Sequence, residues 1–219
     1  MQKKSAKIFA LVAASIAWFG VLTQFYLIIL NRVVSIPETI LRFFAYFTIN
    51  TNILVALCLT FIGLGSKTRT GRFFSRPSTV TAITVYIIIV GIIYNTILRS
   101  LWQPQGLQMI VDEILHSVTP VLFILFWVIF TPTEELKWKH AFSWLIYPLV
   151  YIFYALIVGA VTKFYPYPFV DVNRHGYIKA LSNTGLFLFA MFLLSIILIA
   201  TGKVVKNPPP TPGNDESVR

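Results

Sequence analysis

Six apolar stretches, at about 8–30, 39–64, 79–98, 112–131, 141–162 and 178–201, occupy most of the 219 residues. Each reaches the roughly 20 residues that an α-helix needs to cross the hydrocarbon core of a bilayer. Runs such as VYIIIVGII and LFLFAMFLLSIILIA lack the in–out alternation of a barrel strand. In lipid, such a run satisfies its own N–H and C=O groups only as helix. The expected fold is all-α: a polytopic membrane protein with six transmembrane helices in one bundle. Composition agrees, since 57% of residues are hydrophobic and 12% charged, where a soluble domain carries about 25% charged residues.

The opening MQKKSAK and the apolar run behind it resemble a signal peptide only superficially. The run continues to Leu30, beyond the roughly 7–15 residues of a signal core, and is expected to be a retained first span. Cys58 is the single cysteine. It leaves no internal disulfide and no cysteine-based zinc site, so packing is its expected role.

The net charge of +10 is distributed unevenly. With a cytoplasmic N-terminus and six spans, 12 of the 18 basic residues fall on the inner side and 6 on the outer. That is the positive-inside pattern with both termini cytoplasmic. The basic excess orients the protein and meets anionic headgroups, and no nucleic acid is called for. The loops are short, so residues 1–206 form one transmembrane domain. Residues 207–219 (NPPPTPGNDESVR) read as a disordered, Pro-rich cytoplasmic tail.

Orientation brings a scattered set of polar residues to one depth. Thr48, Thr51 and Asn52 share a helix face through i, i+3 and i+4 spacing. Asn95 lies one turn below Arg99, His116 one turn below Asp112, and Asn183 one turn below Lys179. All belong to the outer leaflet, whereas the inner halves of the spans carry no charged or amide side chain. Polar groups in a membrane are costly, so a shared cluster is a functional-site hypothesis. Each member also has a plain structural reading. A membrane-helix Thr commonly bonds its own i−4 carbonyl, and Asn serves as interhelical glue. Arg99 and Asp112 also fit as helix-end markers near the headgroups. His116 is the hardest to dismiss: it sits a turn inside an apolar helix, can act as a base near neutral pH, and has Asp112 at i−4 to orient it. Thr48, Thr51 and Ser117 are the hydroxyl nucleophiles at that depth. A hydroxyl beside a histidine is the minimal pair for acyl transfer.

Two segments, 42–52 (RFFAYFTINTN) and 112–120 (DEILHSVTP), resemble the paired motifs of the androgen-induced-protein family, which includes the androgen-dependent regulators of tissue-factor-pathway inhibitor. Two more, 94–108 (YNTILRSLWQPQGLQ) and 165–172 (YPYPFVDV), resemble stretches typical of its bacterial six-span branch, and that likeness extends over nearly all six spans. The animal members hydrolyse fatty-acid esters of hydroxy fatty acids with an essential Thr and His. The resemblance implies Thr48, after Tyr46 and Phe47, as nucleophile, and His116, before Ser117 and Pro120, as base. It assigns nothing to Asn95, Arg99 or the YPYPF loop.

The leading expectation is an intramembrane lipid ester hydrolase of a bacterial inner membrane. Thr48 and His116 would be catalytic, with Asn52, Asn95, Arg99, Asp112 and Asn183 as a supporting polar pocket. Asn52 or Asn95 would stabilise the oxyanion, and Arg99 would meet a lipid carboxylate or phosphate. Its partners are the bilayer and a lipid or fatty-acid ester; no cofactor and no metal are expected. A metal-dependent hydrolase would draw on His116, Asp112 and Glu113 with His175 or Asp171. A non-enzymatic lipid or amphiphile binder or transporter would use the same pocket without chemistry. Packing alone would make His116 a fold determinant.

Overall fold

The computed structural model describes residues 2–101 and 103–206. Among these, six helical segments are long and apolar enough to cross a membrane: Lys4–Leu30, Phe47–Leu64, Pro77–Leu98, Leu107–Phe130, His140–Thr162 and Val172–Lys203. The chain is a multi-pass, all-α membrane protein. The expected 207–219 tail lies outside the described residues.

Ten α-helices build the described part. They are α1 (Gln2–Leu30), α2 (Ile36–Phe44), α3 (Phe47–Leu64), α4 (Arg69–Phe74), α5 (Pro77–Ile93), α6 (Leu107–Glu113), α7 (Thr119–Phe130), α8 (His140–Ser143), α9 (Ile146–Thr162) and α10 (Val172–Lys206). Two π-helical turns, Tyr94–Leu98 and Ile114–Val118, continue α5 outward and join α6 to α7. Helix α5 is the most enclosed span, touching α3, α7 and α10.

Helix α1 packs along α3 and reaches α6 and α7. Its Ala10, Ala13, Ala14 and Ala17 recur at helical spacing and are buried. Apolar burial gives helices in lipid little reason to associate, so close backbone approach through small residues carries the packing. Gly20 extends that seam: a Cβ there would stand 2.8 Å from Ile114 Cγ2 and 3.1 Å from Leu115 Cδ2. The glycine therefore seats α1 directly on the Ile114–Val118 turn. On the other side of the bundle, Ile146, Val150, Phe153, Ile157 and Val161 of α9 are all exposed. Their i+3 and i+4 spacing draws one apolar stripe toward lipid. Indole-to-hydroxyl bonds tie the helices laterally, from Trp18 to Thr60, Trp127 to Thr81 and Trp144 to Ser78. Cys58 is buried and donates to the Phe74 carbonyl.

Three span boundaries differ from the sequence reading. The second apolar stretch is not one helix from Thr39. It breaks at Tyr46, whose backbone is extended (φ −81°, ψ 123°), so α2 stands apart and α3 starts at Phe47. Side chains take up carbonyls around the break. Asn50 Nδ2 donates to Phe44 O and Tyr46 O, Tyr151 Oη to Ala45 O, and Tyr154 Oη to Leu41 O. The fourth span begins at Leu107 rather than Asp112, launched by Gly106 at positive φ. The last begins at Val172, with one non-helical residue at Gly176 (φ 73°).

Candidate functional site

Pro120 is where the site begins. It carries no N–H, so the carbonyls of Leu115 (five residues back) and His116 (four back) lose the donor an ordinary residue would supply. Thr119 N–H bonds Ile114 O across the π turn. Two asparagines from neighbouring helices occupy the positions left over. Asn52 Nδ2 donates to Leu115 O at 3.1 Å, and Asn95 Nδ2 to His116 O at 3.3 Å. The same nitrogens reach their own i−4 carbonyls, Thr48 O at 2.9 Å and Gly91 O at 2.9 Å. The Ile114–Val118 turn is thereby clasped from α3 and from the Tyr94–Leu98 turn that continues α5, and π turns of this kind concentrate at functional sites.

The clasp fixes His116. Its Nδ1 lies 2.9 Å from the Asp112 backbone carbonyl and 3.3 Å from Asp112 Oδ1. A carbonyl oxygen only accepts, so Nδ1 carries the proton and Nε2 presents the lone pair. Tyr94 Oη donates to Asp112 Oδ2. The Tyr94 ring also stacks on the imidazole, with centroids 3.9 Å apart and planes 14° from parallel. Asp112 is buried, with Oδ2 accepting from Tyr94 and Oδ1 lying beside the imidazole whose hydrogen bond goes to the Asp112 backbone carbonyl. A carboxylate that orients a histidine and stabilises its protonated form is the second element of a general-base dyad.

Thr48 sits at the second position of α3, where backbone N–H groups have no intrahelical acceptor. Its N–H donates to Tyr167 Oη at 3.3 Å, and its Oγ1 lies 3.3 Å from the same oxygen. The usual i−4 bond of a membrane threonine is not made here, unlike at Thr60, Thr81, Thr84 and Thr162. Tyr167 comes from the 163–171 loop. Gly159 lets that loop fold onto α9: a Cβ there would lie 2.1 Å from the Tyr165 ring. Burial pushes the Tyr167 phenol above its ordinary value, with the Thr48 contacts drawing it partly back. It therefore stays protonated and able to donate.

Thr48, Asp112, His116, Tyr94 and Tyr167 all line one cavity of about 680 Å³. Its apolar wall comes from Leu27, Ile28, Phe43, Ile49, Leu98 and Leu101. The outer loops contribute Gln103, Pro104, Pro166 and Pro168. Thr48 and His116 thus face a shared space, and the Thr48 hydroxyl is held by Tyr167 rather than by the imidazole.

The other expected pocket residues fall elsewhere. Asn52 is wholly buried beneath the site, and both its N–H bonds are spent on carbonyls, so it cannot donate to an oxyanion. Asn95 is committed in the same way, its Oδ1 accepting from Arg99 Nη1 at 2.7 Å. Arg99 is not in the cavity lining: it pairs with Glu113, both exposed, and its guanidinium lies 5.9 Å from the centroid of the Tyr94 ring. Asn183 Nδ2 holds the Phe169 carbonyl at 2.7 Å and anchors the last outer loop. Ser117 bonds Glu113 Oε2, and Thr51 bonds Tyr147 Oη; neither lines the cavity. Asp171 caps the start of α10 through Asn173 N and Arg174 N. Among the described residues, no three His, Cys, Asp or Glu side chains converge.

Tyr94, Tyr167, Gln24 and Gln108 belong to the site and escape a search for outer-leaflet charges and nucleophiles. Gln24 had a signal, since a carboxamide inside the outer half of an apolar span is as exceptional as His116. The YPYPF loop, to which the resemblance assigns nothing, supplies Tyr167 to Thr48. Compared with protein-family models, curated proteins and solved structures, the chain matches none.

Proposed function

We propose that this chain is an intramembrane ester hydrolase acting on a lipid, in the plasma membrane of a bacterium, with Thr48 as nucleophile and an Asp112–His116 dyad as base. One observation carries the proposal: a histidine held by the Asp112 backbone carbonyl, with the Asp112 carboxylate 3.3 Å away, and a helix-N-terminal threonine freed from its i−4 carbonyl open onto the same cavity. The motif resemblance to threonine hydrolases of the androgen-induced-protein family points to the same two residues.

The chemistry follows from these groups. Thr48 Oγ attacks the ester carbonyl and its proton passes to His116 Nε2, the imidazolium being stabilised by Asp112. Tyr167, within hydrogen-bond reach of the attacking oxygen, turns its O–H to the oxyanion. Such donors aimed at developing charge supply a large share of acyl-transfer catalysis. The tetrahedral intermediate expels the alkoxide, which takes the proton from His116. Water, deprotonated by the same nitrogen, then cleaves the acyl-threonine and restores the hydroxyl.

Hydrolysis of an uncharged chromogenic ester by the purified full-length protein tests this. Thr48→Val and His116→Gln should each lower kcat by about a hundredfold or more, with Thr48→Ser retaining part of it. Wild-type turnover in both variants would overturn the proposal. A second reading, passive lipid binding, is favoured by the Thr48 hydroxyl being engaged by Tyr167. It expects no turnover, and ligand affinity unchanged by Thr48→Val.

A further inference from the structure

The lining of the cavity narrows what can occupy it. Among the described residues, no lysine or arginine lines it. Its carboxylate, Asp112, is already held by Tyr94 and His116. Of the arginines near this end of the bundle, Arg99 is engaged with Glu113, Asn95 and the face of Tyr94, Arg42 with Glu38 and the face of Phe164, and Arg32 with the Ile29 carbonyl. Carboxamides take the place of cations. Gln24, Asn31, Gln103, Gln105 and Gln108 all face the cavity. Gln108 Nε2 donates to Gln24 Oε1 at 2.7 Å. That bond leaves a donor on Gln24 and an acceptor on Gln108 for a ligand.

We propose that the cavity receives a lipid whose headgroup is uncharged and hydroxyl-bearing, an acylated polyol of the glycerol or sugar class. A hydroxyl donates and accepts at once, as a carboxamide does, so each pairing replaces the bonds both groups made to water. A phosphate or free carboxylate would be stripped of water beside Asp112 with no lysine or arginine in the lining to meet it. In a low-dielectric site that cost is large. The alkyl chain lies against the Leu27, Ile28, Phe43 and Leu101 wall. This assignment reverses the expected role of Arg99 as an anion contact. As a statement about substrate it rests on the hydrolase proposal above; as a statement about binding it stands on the lining alone.

Competition binding separates the two. The full chain is placed in phosphatidylcholine nanodiscs with radiolabelled hexadecylglycerol ether, which has no ester to cleave. Unlabelled ether should displace it at a concentration about tenfold or more below that needed for hexadecyl phosphate or hexadecanoate. Replacing both Gln24 and Gln108 by Leu should remove about tenfold of that preference, the effect of one or two hydrogen bonds lost in a partly buried site. The wild-type comparison stands even where the double variant folds poorly. Phosphate or carboxylate competing as well as the ether would overturn the proposal, whether or not esters are hydrolysed. Preference for the ether without hydrolysis of any acylglycerol would support it and sink the hydrolase instead.

Discussion

Replacing Asn52 by Leu isolates the clasp on the π turn. Asn52 is fully buried and donates to Leu115 O, a carbonyl that Pro120 deprives of an N–H. Leaving a buried acceptor without a partner costs about 1–3 kcal/mol. Asn52 Oδ1 is itself buried without a partner, and Leu removes it, which offsets part of the loss. The net expectation is a destabilisation of about 1–2 kcal/mol, or roughly 3–6 °C in Tm for a chain of this size. Pro120→Ala supplies an N–H within reach of the same carbonyls, so the double variant should recover about 1 kcal/mol relative to the sum of the single changes. Thermal unfolding of the four proteins, followed by tryptophan fluorescence in detergent, measures this coupling. Additivity within about 0.5 kcal/mol would refute the view that Asn52 stands in for the donor Pro120 lacks.

Gly159→Ala should cost about 1–3 kcal/mol by overpacking against the Tyr165 ring, raise hydrogen exchange across 163–171, and be rescued by Tyr165→Ala. Tyr167 has a raised folded-state pKa from burial. Its contribution should be constant below pH about 10, the unfolded value, and be lost as pH rises above it, where the unfolded phenol ionises first; Tyr167→Phe should flatten that alkaline limb in a pH series of Tm values. Arg99→Ala breaks an exposed ion pair. It should cost less than about 1 kcal/mol and leave kcat/KM for an uncharged ester within about twofold, whereas Asp112→Asn should lower kcat about a hundredfold or more.

The six spans were legible because length and apolarity decide them, and no tertiary contact is needed to do so. Part of the gathering was legible too: Thr48, Asp112 and His116 line one cavity. Azimuth was not. Arg99 and Asn183, expected at the same depth, are engaged by Glu113 and by Phe169 O instead, and in nearly uniform apolar helices nothing local reveals which face looks inward. The break at Tyr46 escaped because Tyr151 and Tyr154, about 110 residues further along the chain, accompany it. Pro120 was visible, and the two orphaned carbonyls follow from it by helix arithmetic. The asparagines that answer them were visible as well, but as candidate oxyanion donors. Their amide hydrogens are in fact spent on backbone, which the sequence alone does not disclose.

The claim that Thr48 is the nucleophile is tested most directly by covalent labelling. The full chain is treated with an alkyl fluorophosphonate, digested, and the modified residue located by mass spectrometry. One phosphonylated site is predicted, at Thr48, absent in Thr48→Val, strongly slowed in His116→Gln and Asp112→Asn, and unchanged in Arg99→Ala. Label at any other residue, or label that persists in Thr48→Val, would contradict it.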